Sequence, residues 1–376
     1  MMYYVNEVVD QMKQSEQIVI YGARIVANEV VNCLMGEPYH LTVKAFLVSE
    51  KQGNPNSIMG IPVMTVKEGK ERYKNALVLV AVLEKYYNEI METLQKEGFK
   101  NIISLTFESD LWSGIRGNYY KELCREKGKE YLTLEEELEK VPESSETGKV
   151  SVYMAKCHVD RELKEDISLY GWETPIQVGA DLTEIEISRI KDNIGENISR
   201  KNREYCELTA LYWIWKNDKI SAYAGLCHYR RHFCLDKRQL ARLANSDIDV
   251  VLTIPILNYP NVRSAYIYDH CEEDWEIMLE AIKKLAPEYY KTADRLQKGV
   301  FYYAYNMFIA KKEIFDLYCS WLFPILDYCE TYCAKKEDIY QNRFIGFLAE
   351  RLMSIFFLQN EGIYKIVHAK KHFLAV

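Results

Sequence analysis

The sequence has no apolar run long enough to cross a bilayer. Stretches such as Leu352-Met353-Ser354-Ile355-Phe356-Phe357-Leu358 fall far short of the ~20 residues a spanning helix needs. The segment Met1-Met2-Tyr3-Tyr4-Val5-Asn6-Glu7 also lacks the cationic start and apolar core of a secretory signal, so a cytoplasmic location is expected. There is no cationic excess: 48 Lys and Arg stand against 55 Asp and Glu, a formal charge of -7. Binding to nucleic acid is therefore not expected, because neutralising phosphates takes a cationic face. The ten cysteines include no Cys-x-x-Cys pair, and several fall within apolar patterns, as buried, reduced thiols do. Tyrosine, by contrast, is abundant at 29 residues, which suits surfaces that stack on rings and hydrogen-bond hydroxyls. With 376 residues, 27% of them charged, the chain has room for two folded domains.

The first ~105 residues alternate strand and helix signals. Gln17–Gly22 reads as a strand ending in glycine, followed by a helix through Val26, Val30, Val31 and Leu34. Val43–Val48 and Ala76–Val82 read as further strands, the latter too continuously apolar for a one-sided sheet. A helix carrying Ile90 and Leu94 leads to a last strand at Asn101–Leu105. This predicts a small doubly wound domain over residues 1–110. Its first turn, Gly22-Ala23-Arg24-Ile25-Val26-Ala27, keeps one of the three glycines of a dinucleotide fingerprint. Arg24 at the second glycine position would crowd a pyrophosphate, so a structural or regulatory module is expected. The domain resembles degenerate Rossmann-like units fused to polysaccharide-biosynthesis enzymes. Residues 111–148 read as a helical connector whose polar end, 141–148, marks the boundary, and 149–376 as an α/β domain.

In that second domain, the apolar strand Ser221–Cys227 runs into His228-Tyr229-Arg230-Arg231-His232-Phe233. If the chain stays extended, His228, Arg230 and His232 point one way and Tyr229, Arg231 and Phe233 the other. Ligands of open α/β sheets bind beyond the carboxyl ends of the strands, and arginine forks match phosphate oxygens. The cluster is thus expected to take a phosphorylated ligand; the alternative is a solvated strand end whose arginines pair with acidic neighbours. His228 and His232, ~13 Å apart on a strand, cannot share a metal ion.

In the last helix, residues 342–358, Arg351 interrupts the stripe Phe344, Leu348, Ile355. Glu350 beside it is a candidate base or hydroxyl anchor, against the alternative of a structural salt bridge. Asn306 enters an apolar strand and needs a partner such as a ligand hydroxyl. Asp247-x-Asp249 resembles the metal-binding Asp-x-Asp of many sugar transferases, which makes Asp249 the candidate ligand for Mn²⁺ or Mg²⁺. His270 reads as an acid or base, or as a structural histidine. The segment Tyr364–Leu374 mixes basic and apolar residues, as interfacial segments and plain surface termini both do.

Five segments, in order, resemble a bacterial family of capsular and exopolysaccharide glycosyltransferases catalogued as a domain of unknown function. They are Pro175-Ile176-Gln177-Val178-Gly179-Ala180; Glu207-Leu208-Thr209 with Tyr212-Trp213-Ile214-Trp215-Lys216-Asn217; Gly225-Leu226-Cys227-His228-Tyr229-Arg230-Arg231-His232-Phe233; Asn306-Met307-Phe308-Ile309; and Gly346-Phe347-Leu348-Ala349-Glu350-Arg351-Leu352. The resemblance implies a GT-A-like fold, a UDP-linked sugar donor (galactose or galactofuranose) and a growing lipid-linked glycan as acceptor, with peripheral contact at the inner face of the membrane. With such a donor and acceptor, the candidate residues are expected to take the following roles. His228, Tyr229, Arg230, Arg231, Arg351, Gln177 and Gly179 would hold the donor. Asn306, Glu207 and Trp213 would hold the sugar or acceptor, and Glu350 would be the base, with His270 in reserve. The cationic strand end would do part of the work of a divalent cation. Two other readings remain: a nucleotide-sugar oxidoreductase or epimerase working through the first domain, and a non-catalytic glycan-binding assembly protein.

Overall fold

A computed structural model describes residues 2–143, 150–164 and 170–375. They form two compact units, Met1–Glu130 with Leu257–Tyr259, and Tyr131–Ile256 with Pro260–Val376. Most of the polar run 141–148 lies outside the described residues.

The first unit opens on α1 (Met2–Gln14) and builds a sheet from β1 (Ile18–Tyr21), β2 (Val43–Val48), β3 (Ser57–Ile58), β4 (Ile61–Thr65), β5 (Leu77–Val80) and β6 (Ile102–Ser104). The strand order is β3-β4-β2-β1-β5-β6, parallel except for β3. The crossovers are α2 (Ile25–Met35), α3 (Val66–Tyr73) and α4 (Tyr87–Lys96), and α5 (Asp110–Glu126) follows the last strand. Val19, Ala45, Val78 and Leu94 are wholly buried in the core. At the first turn Gly22 has φ +120°, and a Cβ there would lie 2.5 Å from the Ala81 carbonyl oxygen, so only glycine fits. Arg24 instead turns outward and donates to the Gly53 carbonyl.

The second unit contains α6 (Leu134–Glu139), β7 (Val150–Lys156), β8 (Thr174–Gln177), β9 (Ile190–Lys191), α7 (Asn202–Tyr205), α8 (Leu208–Asn217), β10 (Tyr223–His228), β11 (Arg231–Phe233), α9 (Lys237–Ala244), β12 (Val250–Thr253) and the first residue of the short β13 (Ile256–Leu257). After these come α10 (Val262–Asp269), α11 (Glu272–Leu285), α12 (Tyr290–Lys298), β14 (Phe301–Tyr302), β15 (Phe308–Lys311), α13 (Lys312–Tyr332), α14 (Phe344–Gln359), β16 (Ile366–Ala369) and β17 (Lys371–Phe373). The main sheet runs β16-β12-β15-β10-β7-β8-β9, with β11 joined to β10 and to β17. Along that path only β15 is reversed. Its amino end therefore lies on the same edge as the carboxyl ends of β7, β8, β10, β12 and β16.

Two expectations change here. The chain does not stay extended through His228–Phe233. Tyr229 and Arg230 form a tight turn, and His228 pairs directly with Arg231 across the hairpin. The alternation counted through the turn is thereby broken, because a two-residue reversal sets a new register. The segment Tyr364–Leu374 is no loose terminus: it supplies β16 and β17 and largely packs into the sheet.

Candidate active site

Everything needed to build the site follows from the reversed strand. The segment entering β15 holds two consecutive non-glycine residues in the left-handed region, Tyr305 at φ +71° and Asn306 at φ +49°. Such a pair costs energy and persists only where its surroundings hold it. Here they do. The Tyr305 N–H donates to Glu350 Oε1 at 2.7 Å, and the His228 Nε2–H donates to the Tyr305 carbonyl at 2.7 Å. The Asn306 amide donates to Glu207 Oε1 at 2.7 Å and to the Gly346 carbonyl at 3.2 Å. Four elements thus meet at one crest: the end of β10, the start of β15, the amino end of α8 and the middle of α14.

Charge is dense around this crest. Glu350 Oε2 accepts from Arg351 Nη1 at 2.8 Å. Burial pushes the Glu350 carboxyl above the ordinary range, against the pull of Arg351 and Arg231. Burial lowers His228, with Arg231 adding to the effect and Glu207 opposing it. The Arg231 guanidinium lies 4.4 Å from the centre of the Tyr305 ring. Arg351 is buried, 4.3 Å over the Tyr302 ring. Arg230 lies 4.5 Å over the Phe373 ring and donates to the Leu374 carbonyl, while Tyr229 occupies the turn beside it. His270 borders the same region, stacked on Phe347 at 4.1 Å and hydrogen-bonded to Gln341. Burial, with help from Arg351, lowers His270 to about 4, so it is neutral at physiological pH.

His228, Arg231, Arg351, Glu350, Asn306 and Glu207 are therefore brought together, with His270, Tyr229 and Arg230 at the margin. Gln177 and Gly179 reach the same edge but serve the scaffold. The Gln177 amide is bonded at both ends, to the Ile185 carbonyl and the Ile187 N–H. The Gly179 and Ala180 N–H groups, with the Ser199 and Thr209 hydroxyls, bind the fully buried Asp192 carboxylate. An internal anion fills the cradle a ligand would need. Trp213 lies six residues along α8 from Glu207, roughly 9 Å along the axis, and donates to the Ile194 carbonyl; it is not part of the cluster.

Asp249 is the clearest correction. It precedes β12, at the opposite edge of the sheet from His228, and Lys311 Nζ sits 2.7 Å from its Oδ1. The Lys365 N–H takes its other oxygen at 2.8 Å, and Asp247 pairs with Lys365 Nζ. A carboxylate neutralised by a lysine does not fit as a ligand for Mn²⁺ or Mg²⁺. Glu173, Cys227 and His232 converge beneath the hairpin, with donor atoms within 4.8 Å of one another. This is not the oxygen-rich set those cations take. Both His232 nitrogens are also engaged, with Glu173 at 2.7 Å and the Tyr229 carbonyl at 3.0 Å.

Sequence reasoning missed Cys206 and Arg343. Cys206 breaks α7 from α8 with φ +52° and ψ -129°, and its sulfur accepts from Arg343 Nε at 3.0 Å. The only sequence signal was their closeness to Glu207 and Glu350.

The family model described as Domain of unknown function (DUF4422) matches residues 152–361. The chain belongs to this family. The DUF4422 chain is also similar to a solved apo structure of WbbM, a bifunctional glycosyltransferase, with 28% identity and a TM-score of 0.54. The match covers 61% of this chain and 46% of WbbM, so the chain accounts for less than half of that protein's length. No curated protein matches the chain. The matched part has a GT-A-like α/β fold, and all six clustered residues lie within the DUF4422 region.

Proposed function

We propose that this DUF4422 protein transfers a glycosyl group, galactose or galactofuranose, from a UDP-sugar to a hydroxyl of a lipid-linked capsular, exopolysaccharide or O-antigen glycan. The observation that carries the reading is the Glu350 carboxylate, fixed beside Arg231 and His228 on the edge of the sheet where α/β proteins bind ligands. Likeness to a glycosyltransferase at 28% identity supports it.

In this reading each Glu350 oxygen accepts one hydrogen bond among the described residues and keeps lone-pair capacity for the acceptor hydroxyl, whose proton it takes as the hydroxyl attacks the anomeric carbon. Arg231 and the hairpin turn face the departing diphosphate and stabilise the charge that develops on it. Asn306 Oδ1, buried and without a hydrogen-bond partner among the described residues, accepts from a sugar hydroxyl. The first unit is a structural or regulatory module.

The test is transfer and hydrolysis with a panel of UDP-sugars, alongside thermal stabilisation by UDP and by NAD(P). Stabilisation by UDP that Arg231→Ala abolishes, with turnover that Glu350→Gln abolishes, is the expected result. Stabilisation by NAD(P) alone would move the chemistry to the first unit. Glycan binding without turnover of any UDP-sugar would make this an assembly protein.

A further inference from the structure

Arg343 stands immediately before α14, its side chain exposed on the same edge of the second unit. Its Nε–H is fixed on Cys206 Sγ at 3.0 Å. The guanidinium carbon lies 5.9 Å from the Phe347 ring centre and 6.0 Å from that of Tyr340. Among the described residues neither terminal nitrogen makes a hydrogen bond. The sulfur does not neutralise the arginine, because burial pushes the Cys206 thiol up to about 12 and it stays protonated. The guanidinium is also close enough to His228 and Asp160 to bear on their ionisation, and the Glu207 carboxylate in turn favours the charged guanidinium. An oriented fork with two unused donors, anchored through its third nitrogen and set beside the crest, matches the geometry of an oxyanion.

We infer that Arg343 is a second phosphate-binding arm of this site, holding diphosphate oxygens in a bidentate grip, with Cys206 as its positioning residue. This rests on the proposed function, in which the UDP-linked donor carries a diphosphate; a lipid-linked acceptor joined to its lipid through a diphosphate would carry a second. The chemistry is the same for both, and the probes separate them.

Binding of UDP and of geranyl diphosphate, a short prenyl diphosphate, is measured by calorimetry on the full chain and on Arg343→Ala, Arg343→Lys and Cys206→Ala. Arg231→Ala serves as reference. Arg343→Ala is expected to weaken one probe at least tenfold. A loss confined to UDP assigns the arm to the donor; a loss confined to geranyl diphosphate assigns it to the acceptor. Arg343→Lys, which keeps the charge and the fold but not the fork, should recover only part of the loss. Cys206→Ala should cost about threefold on the same probe. Equal affinities of the wild type and Arg343→Ala for both probes, while Arg231→Ala still loses UDP, would overturn this inference and leave the proposed function intact. Full recovery in Arg343→Lys would overturn the bidentate grip. A wild type that binds neither probe would sink both readings.

Discussion

A carboxylate that is to take a proton from a sugar hydroxyl must be held still and yet keep a lone pair to spare, and Glu350 meets both conditions. The Tyr305 N–H and Arg351 fix one oxygen each. Replacement by glutamine should lower kcat by about 10²–10⁴-fold and leave UDP affinity within about threefold, measured by steady-state assay and calorimetry. The pH profile carries a sign. As the proposed base Glu350 would act ionised, and burial raises its pKa above the ordinary carboxylate range, so activity should fall on acidification with a midpoint above the ~4.3 of an ordinary glutamate. A midpoint at or below that value would remove Glu350 as the base. Asn306 tests the crest itself. Asn306→Ala deletes the donor to Glu207 and keeps a Cβ at a positive φ, so a loss of about 2–3 kcal/mol of stability is expected in denaturant unfolding. Asn306→Gly, freed of the backbone strain, should lose less.

At the scale of elements, periodicity worked where one residue follows another regularly. β2 falls over Val43–Val48 as the apolar run predicts, and α14, Phe344–Gln359, lies within two residues of the expected helix at 342–358. It failed where one or two residues reverse direction. Nothing in the pattern of His228–Phe233 marks the turn at Tyr229 and Arg230. The break at Cys206 is equally silent, since a non-glycine residue with φ +52° is imposed by its surroundings. Asp249 misled for another reason: a short acidic motif says nothing of the lysines from distant segments that neutralise it. Five candidate site residues, His228, Arg231, Asn306, Glu350 and Arg351, were legible as polar groups in or at the end of apolar elements and Glu207 only through the family resemblance, whereas Arg343 was missed because an arginine at the start of a helix reads as an ordinary solvated end. The carboxyl end of β8 offers an element-scale test. Asp192 is bound by two N–H groups and two hydroxyls, and Asp192→Ala leaves those donors buried and unpaired, at a cost of about 3 kcal/mol or more. A Tm drop of several degrees is expected. Gly179→Ala should be of similar severity, because its φ is +65° and a Cβ would lie 2.7 Å from Asn202 Oδ1.

At the scale of the molecule, the fold places guanidinium and imidazole groups along one edge, where in the proposed reaction they would meet the leaving group, and the Asp-x-Asp motif is spent on lysines at the other. Transfer should therefore keep most of its rate in excess EDTA, and Asp249→Ala should change kcat by no more than about twofold while lowering Tm through the loss of Lys311 pairing. Loss of activity in EDTA that Mn²⁺ restores would contradict this assignment of the charge.

The outer edge of the hairpin has a consequence for how the protein is made. Arg231 finds its partner in Phe373, and roughly 140 residues separate the two. A ribosome adding ~5–20 residues per second needs on the order of 7–30 s to supply that partner after Arg231 has been joined to the chain. Through that interval the growing polypeptide carries the arginine hairpin with an uncovered strand edge. Pausing of translation between these codons should lengthen its exposure to chaperones and to aggregation, measurable as a lower soluble yield from slowed synthesis of an unchanged sequence.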